Sequence, residues 1–133
     1  MANAIHHINW LVHDIKASSQ QFNQFLQQNA DIEYLPGRDV DTARYKLGDA
    51  WLVLVAPRAS DSTVGRILEK RGEGLFLLSI STFDVLSDQQ LMQMDPQGKR
   101  QGINDWLVWD VNSVSNDTSI LQLHVGPDKN EMS

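Results

Sequence analysis

Residues 5–15 read IHHINWLVHDI, and residues 75–85, at an offset of 70, read LFLLSISTFDV. Each stretch is an apolar, strand-like run that ends on an Asp followed by an aliphatic residue, Asp14–Ile15 in the first and Asp84–Val85 in the second. An Asp in that place is typical of a helix N-cap, because its carboxylate accepts hydrogen bonds from the first backbone N–H groups of the helix. Both stretches therefore predict a strand followed by a helix, and the shared offset indicates that one unit is repeated.

The residues after the first stretch complete one such unit. Apolar residues recur at helical spacing along the predicted helix, at Ile15, Phe22, Phe25 and Leu26. A short strand is then predicted at residues 33–35. Residues 42–47 and 50–56 predict a β-hairpin, because Gly48–Asp49 between them is a favoured two-residue turn. The first half therefore reads strand, helix and three further strands.

A predicted helix over residues 61–72 joins the first half to the second. Asp61 or Ser62 is its N-cap, and Gly72 ends it. The order of elements then restarts with a strand at Leu75–Ser81, a helix at Val85–Met94, and strands at Trp106–Val111 and Ile120–Val125.

These elements predict an α+β fold made of two tandem βαβββ modules. The modules cover about residues 5–57 and 74–126, the linker helix covers residues 61–72, and all of them lie in a single domain over residues 1–133. Their strands would form a cupped mixed sheet, in which helices cover one face of each module and the other faces enclose a cup.

The residues that face this cup follow from the two-residue period of strands. His7 aligns with Leu77 at an offset of 70, and the last strands align at nearly the same offset, Val53 with Gln122 at 69, so the two modules present equivalent strand faces. The side chains predicted to point into the cup are His7, Asn9, Trp51, Val53, Val55, Leu77, Ser79, Ser81, Ile120, Gln122 and His124. The set mixes polar and apolar groups, as the lining of a small-molecule pocket does.

The histidines leave more than one interpretation open. His7 is either a general base or metal-ligand remnant, or a pocket-wall histidine bonded to a neighbour. His6 and His13 are predicted on the opposite face or at the strand end. His124 projects with Gln122 because the two are separated by one residue on a strand, so a rearranged metal site with His7 is a further alternative.

Two pairs of side chains are further candidates for the cup. Trp51 and Trp106 either stack on a bound ligand or belong to the core. Glu33 and Arg44 either meet in the pocket as a catalytic base and an anion clamp, or are solvated on short strands.

Composition and charge narrow the classes of partner. The chain of 133 residues has no cysteine and a formal net charge of −6, and it lacks the clustered basic stripe that nucleic-acid binding requires. It carries no signal-peptide pattern and no apolar run near the roughly 20 residues of a membrane span. We therefore expect a cytoplasmic protein that binds neither nucleic acid nor membranes.

Several motifs together resemble the vicinal oxygen chelate superfamily, whose paired-module fold is that of glyoxalase I, bleomycin-resistance proteins, extradiol dioxygenases and methylmalonyl-CoA epimerase. They are IHHI at residues 5–8, VHDI at 12–15, LVAP at 54–57, Asp61–Ser62, and ILEKRGEGL at 67–75. The last is the most specific, and it is most similar to methylmalonyl-CoA epimerases and related glyoxalase-like proteins. The resemblance covers about residues 5–125 and implies a homodimer.

The resemblance also implies four metal-ligand positions, which fall at His7, Val53, Leu77 and Gln122. Valine and leucine have no donor atom, so only His7 and Gln122 remain as remnants of a site that needs about four to six donors. We therefore expect no metal ion and no other cofactor, unless the ligand set has rearranged to bind a divalent ion.

Three functions fit these observations. The first is a metal-free protein that binds a small organic molecule in the cup. The second is an isomerase or lyase, of the methylmalonyl-CoA epimerase or lactoylglutathione lyase type, acting on a carbonyl compound or CoA thioester. Its base would be His7 or Glu33, and Gln122 would stabilise the oxyanion. The third is an interaction module with a vestigial cup.

Overall fold

The computed structural model describes residues 3–81, 100–101, 107–111, 115–116 and 119–124. Within them, the elements in chain order are β1 (Ala4–Leu11), α1 (Ile15–Leu26), β2 (Asp31–Leu35), β3 (Val40–Leu47), β4 (Ala50–Pro57), α2 (Thr63–Arg71), β5 (Gly74–Ser81), β6 (Arg100–Gln101), β7 (Leu107–Asp110) and β8 (Ile120–His124). The helix predicted at Val85–Met94 and the side chain of Trp106 lie outside the described residues.

The strands form one mixed sheet in the order β2-β3-β4-β1-β5-β8-β7-β6. This order is symmetric about the β1–β5 pair: β1 runs parallel to β4, and β5 runs parallel to β8. His7 pairs with Trp51 in the first half, and Leu77 pairs with Ile120 in the second. Leu77 follows His7 by 70 positions and Ile120 follows Trp51 by 69 positions, which are the two offsets of the sequence alignment. The predicted α+β fold of repeated modules is confirmed.

Both described helices begin at the predicted kind of residue. Asp14 Oδ1 accepts the backbone N–H groups of Lys16 and Ala17 at 2.9 and 3.1 Å. Of the two candidates for the N-cap of α2, the structure selects Ser62, whose hydroxyl accepts the N–H of Gly65 at 3.0 Å. Gly72 caps the end of α2 with a φ of 80°, a conformation that glycine adopts without steric cost.

Two apolar clusters occupy the two faces of the sheet. Under α1, one cluster comprises the buried residues Val12, Ala43, Tyr45, Leu54 and Ala56. The other lies with α2 and comprises Leu11, Val40, Val53, Val55, Ile67, Leu68, Phe76, Leu77 and Val108. The second cluster lies on the face that was predicted to line the cup. This face therefore holds part of the buried core as well as the predicted ligand site.

One residue of the predicted α1 stripe is misplaced. Ile15, Phe22 and Leu26 pack against the cluster under α1, but Phe25 is 72% exposed. At 3.6 residues per turn, Phe25 lies about 80° from the line through the other three. The prediction for Phe25 is wrong because helical spacing alone does not show how wide the buried stripe is.

Two irregularities between β1 and β5 change the direction of single side chains. Ile5 pairs with Ile80 and His7 with Ser79, so His6 is an extra residue on β1. Similarly, the consecutive residues Asn9 and Trp10 of β1 pair with Leu77 and Leu75, so Phe76 is an extra residue on β5. An extra residue in one strand shifts the alternation of faces. Phe76 therefore joins the same buried cluster as Leu77.

Candidate functional site

A cavity of about 320 Å³ opens on the cup face of the sheet. Its polar lining residues are Asn9, Arg38, Ser62, Thr63, Asp110 and Gln122, and its apolar ones are Leu35, Val40, Val55, Val64, Ile67, Phe76, Leu77 and Ile120, with Gly37 beside them. The volume lies at the lower end of the range of about 300–1,000 Å³ that is typical of small-molecule sites. Both halves of the chain therefore build the wall of a single cavity.

The first half contributes a cation to this wall. Arg38 lies in the turn between β2 and β3, where its backbone N–H donates to the Leu35 carbonyl at 3.2 Å. The next residue, Asp39, has a φ of 54° and donates its N–H to Pro36, and its carbonyl accepts the N–H of Arg58 at 3.0 Å. These backbone bonds fix the turn from which the half-buried Arg38 side chain reaches the cavity wall.

The centre and the second half contribute hydrogen-bonding groups. Asn9 of β1 is only 4% exposed, and its Oδ1 has no hydrogen-bond partner among the described residues. Gln122 of β8 is buried, and its Nε2 donates to Asp110 Oδ1 of β7 at 2.9 Å. A buried amide oxygen without a donor costs about 1–3 kcal/mol, so Asn9 is a group that a bound molecule could satisfy.

Of the side chains predicted to point into the cup, Asn9, Val55, Leu77, Ile120 and Gln122 line the cavity. The others on described strands, His7, Trp51, Val53, Ser79, Ser81 and His124, lie on the same sheet but are not part of its lining. Trp106 lies outside the described residues.

Glu33 and Arg44 meet, but away from the cavity. Arg44 Nη1 lies 3.2 Å from Glu33 Oε1, and neither residue is among the lining side chains. Arg44 and Lys46 also lie near the ring of Trp51, at 5.5 and 4.7 Å from its centroid. These contacts place Trp51 in a charged cluster at the side of the cup and make Glu33 a poor candidate for a base in it.

The sequence reasoning missed Arg38, Asp110 and the first turn of α2. A cation in a turn and an Asp at a strand end are typical of solvated positions, so local pattern gave no signal for either. They line the same cavity as Asn9 although they lie far from it in the sequence, so their meeting is a long-range property of the fold.

Three histidines form a buried cluster beside the cavity. His6 is 5% exposed, its Nδ1 lies 2.8 Å from Nδ1 of His7, and its ring stacks on that of His124 at 3.7 Å between centroids. The prediction that His6 faces away from His7 or lies at the strand end is wrong, because the extra residue in β1 turns it to the same side. His13, in contrast, is exposed just after the end of β1.

Burial dominates the protonation of His7. It lowers the pKa of His7 well below 6.5, and the neighbouring charges of His6, His124 and Arg38 lower it further. The neutral imidazole is therefore the form that the fold accommodates near pH 7.

The residues at the four metal-ligand positions do not fit the superfamily's metal centre. Val53 and Leu77 are buried in an apolar cluster, and the Gln122 amide bonds to Asp110. His6 and His124 do not replace the missing ligands together, since ring nitrogens bind metals in the ring plane and these planes are parallel and separate. Among the described residues, no group of three or more His, Cys, Asp or Glu side chains could hold a metal ion.

Comparisons with solved structures identify the fold. A hypothetical protein from Bacillus halodurans superposes with a TM-score of 0.79 at 19% identity, over 97% of this chain and 98% of that one. A methylmalonyl-CoA epimerase in complex with methylmalonyl-CoA and NH4+ gives 0.75 at 21% identity, over 95% and 96% of the two chains. The epimerase from Mycobacterium tuberculosis gives 0.76 at 18% identity, over 97% and 91%.

No protein-family model and no curated protein matches the sequence. At these identities the solved structures establish the fold alone, which is the paired-module fold that the resemblance predicted. No helix in the described part of the chain is long and apolar enough to cross a membrane. The cytoplasmic location and the homodimer stay predictions.

Proposed function

We propose that this chain binds a small organic molecule in its cup, without the metal centre of the superfamily. The observation that carries the proposal is the cavity of about 320 Å³, lined by both halves of the chain with apolar walls and a few polar groups. That combination is the usual design of a small-molecule site, in which burial supplies affinity and polar groups fix orientation. A core whose only role is stability would fill such a space with side chains.

The side chains that replace the metal ligands support binding without a metal. Leu77 occupies one ligand position and lines the cavity, and Val53 occupies another and packs in the same cluster. Both add apolar surface where the superfamily pattern has charged or coordinating groups. A ligand would therefore be held by apolar burial and by hydrogen bonds to groups such as Asn9 and Gln122.

A thermal-shift screen of the full chain tests this proposal. The library covers acyl-CoAs, small aromatics and aliphatic compounds of neutral, anionic and cationic charge. A true ligand at about 100 times its Kd stabilises the fold by about 2.7 kcal/mol, which raises Tm by several degrees. A screen in which no compound raises Tm at millimolar concentration would count against a binding function.

A second candidate function is an isomerase or lyase that removes a proton next to a carbonyl group. The observation that favours it is the pair of Asp110 and Gln122 at the cavity wall, a carboxylate and a carboxamide joined by a hydrogen bond of 2.9 Å. Asp110 would act as the base and Gln122 as a donor to the developing oxyanion. His7 is buried outside the lining and Glu33 is bound to Arg44, so neither reaches a substrate as directly.

Proton exchange distinguishes this candidate from simple binding. If the reaction occurs, carbonyl compounds and CoA thioesters identified in the screen exchange their α-proton for deuterium in D2O, as measured by NMR. Asp110→Asn should then lower the exchange rate by a factor of about 100 or more, since a general base contributes roughly that much. Glu33→Gln, which changes a carboxylate outside the cavity, should leave the rate within about twofold.

A further inference from the structure

We infer that the molecule bound in the cup is a small organic acid, whose carboxylate lies at Arg38 and the N-terminus of α2 and whose hydroxyl or ammonium group donates to Asn9. The inference rests on the proposed binding function and specifies its ligand class.

The cationic side of the cavity begins with Arg38. Its guanidinium is permanently charged and carries five N–H donors in a planar fork that matches the two oxygens of a carboxylate. Arg38 extends to the cavity wall from a turn between β2 and β3 whose backbone is fixed by hydrogen bonds. The chain as a whole has a net charge of −6, whereas this part of the cavity wall is positively charged.

The first turn of α2 lines the same cavity, and the N-terminus of this helix carries a partial positive charge, as Arg38 carries a full one. Ser62, Thr63 and Val64 all contribute to the wall. The Ser62 hydroxyl accepts the N–H of Gly65, and the N–H groups of Thr63 and Val64 are ones for which an α-helix has no acceptor of its own. These groups and the partial positive charge of the helix N-terminus favour an anion.

Asn9 supplies the independent observation that a ligand belongs here. The residue is 4% exposed, lines the cavity, and its Oδ1 has no hydrogen-bond partner among the described residues. An oxygen acceptor in that state calls for a donor on the ligand, such as a hydroxyl or an ammonium group. The carboxylate of Asp110, on the other half of the sheet, also lines the cavity and accepts a hydrogen bond from Gln122.

The lining therefore combines donors for an anion with acceptors for a hydroxyl or ammonium group, and an apolar wall that includes Val55, Ile67 and Leu77. A neutral hydrocarbon would leave Asn9 Oδ1 without a donor. A dianion would place charge against Asp110. An organic acid with one hydrogen-bond donor and an apolar body matches all three parts of the wall.

Isothermal titration of the full chain with a matched probe series tests this assignment. The probes are 4-hydroxyphenylacetate, phenylacetate, which lacks the donor, and 4-hydroxyphenylacetamide, which lacks the charge. The hydroxy acid should bind most tightly. Loss of the charge should weaken binding by about tenfold or more, because a hydrogen bond to a charged group is worth about 1.5–3 kcal/mol, and loss of the hydroxyl should weaken it by about twofold to tenfold, because its bond to the Asn9 amide oxygen is neutral.

Variants assign each effect to its residue. Arg38→Gln should weaken binding of the acid by about tenfold to a hundredfold and leave the amide unchanged, and Arg38→Lys should recover part of the loss. Asn9→Leu should remove the preference for the hydroxy acid over phenylacetate. Arg66→Gln, which removes an exposed cation from α2 outside the cavity, is the matched control and should change nothing.

Failure of this inference can be told apart from failure of the proposed function. If the acid and the amide bind equally and Arg38→Gln alters neither, or if all three probes fail while neutral compounds from the thermal-shift screen bind, the cup binds ligands but does not select acids. If no probe and no compound in that screen binds, the binding function itself is wrong.

Discussion

Replacing Gly65 with alanine is expected to destabilise the fold by at least about 2 kcal/mol. A Cβ atom at residue 65 would lie 2.3 Å from the Ala59 carbonyl oxygen and 2.8 Å from that of Ser60. The Ala59 oxygen already accepts the Ser62 hydroxyl at 2.7 Å and the Ser62 N–H at 3.3 Å. It therefore cannot move without weakening the N-cap of α2, and overpacking of this kind exceeds the small gain in helix propensity of alanine.

Urea denaturation of both proteins measures this effect. Gly37→Ala is the matched control, because a Cβ at Gly37 meets nothing within 4 Å, and its change should stay within about 0.5 kcal/mol. Since the first turn of α2 lines the cavity, Gly65→Ala should also weaken ligand binding. Wild-type stability in Gly65→Ala would show that the approach of α2 to residues 59–60 is looser than described.

Acidification is expected to destabilise the protein through His7. Because burial lowers the pKa of His7 in the folded state below 6.5, the unfolded chain binds a proton at a higher pH than the folded protein does. The contribution of His7 to stability is therefore full above pH 6.5 and is lost as the pH falls from there towards the lowered pKa. Between pH 7.5 and 5.5 the loss for one such group is on the order of 1 kcal/mol.

The comparison that isolates His7 is the pH dependence of unfolding free energy in His7→Asn and His13→Asn. The first variant should lose this part of the pH dependence, whatever its absolute stability. His13 is exposed, so the second variant should keep it. If His7→Asn and the wild type lose stability in parallel between pH 7.5 and 5.5, His7 is not buried as a neutral group.

The features of the fold that sequence could predict are those set by local chemistry. Asp14 and Ser62 are N-caps because their side chains satisfy nearby backbone N–H groups, and Gly48–Asp49 forms the turn of a hairpin. The repeat was also visible, because strands that are equivalent in the two halves lie at the same offset in the sequence. The pairs His7–Trp51 and Leu77–Ile120 show that this offset is a structural relationship.

The parts of the site that sequence could not predict depend on irregularities and distant contacts. The alternation of faces along β1 and β5 places Asn9 and Leu77 in the cup, but the extra residues His6 and Phe76 break that alternation. A single inserted residue in a strand pair has no reliable sequence signature. Arg38 and Asn9 line the same cavity although they lie on separate elements 29 residues apart in the sequence, which no local pattern could show.

The most direct test of the account is the affinity of the cup for the best ligand from the screen in two phenylalanine variants of α2. Val64→Phe adds volume inside the cavity wall, whereas Arg66→Phe adds the same ring at an exposed position on the same helix. With circular dichroism confirming that both variants are folded, we expect the Kd to rise at least tenfold in Val64→Phe and to stay unchanged in Arg66→Phe. Equal affinity in the wild type and Val64→Phe would show that the ligand binds elsewhere and would contradict the assignment of the cup as the functional site.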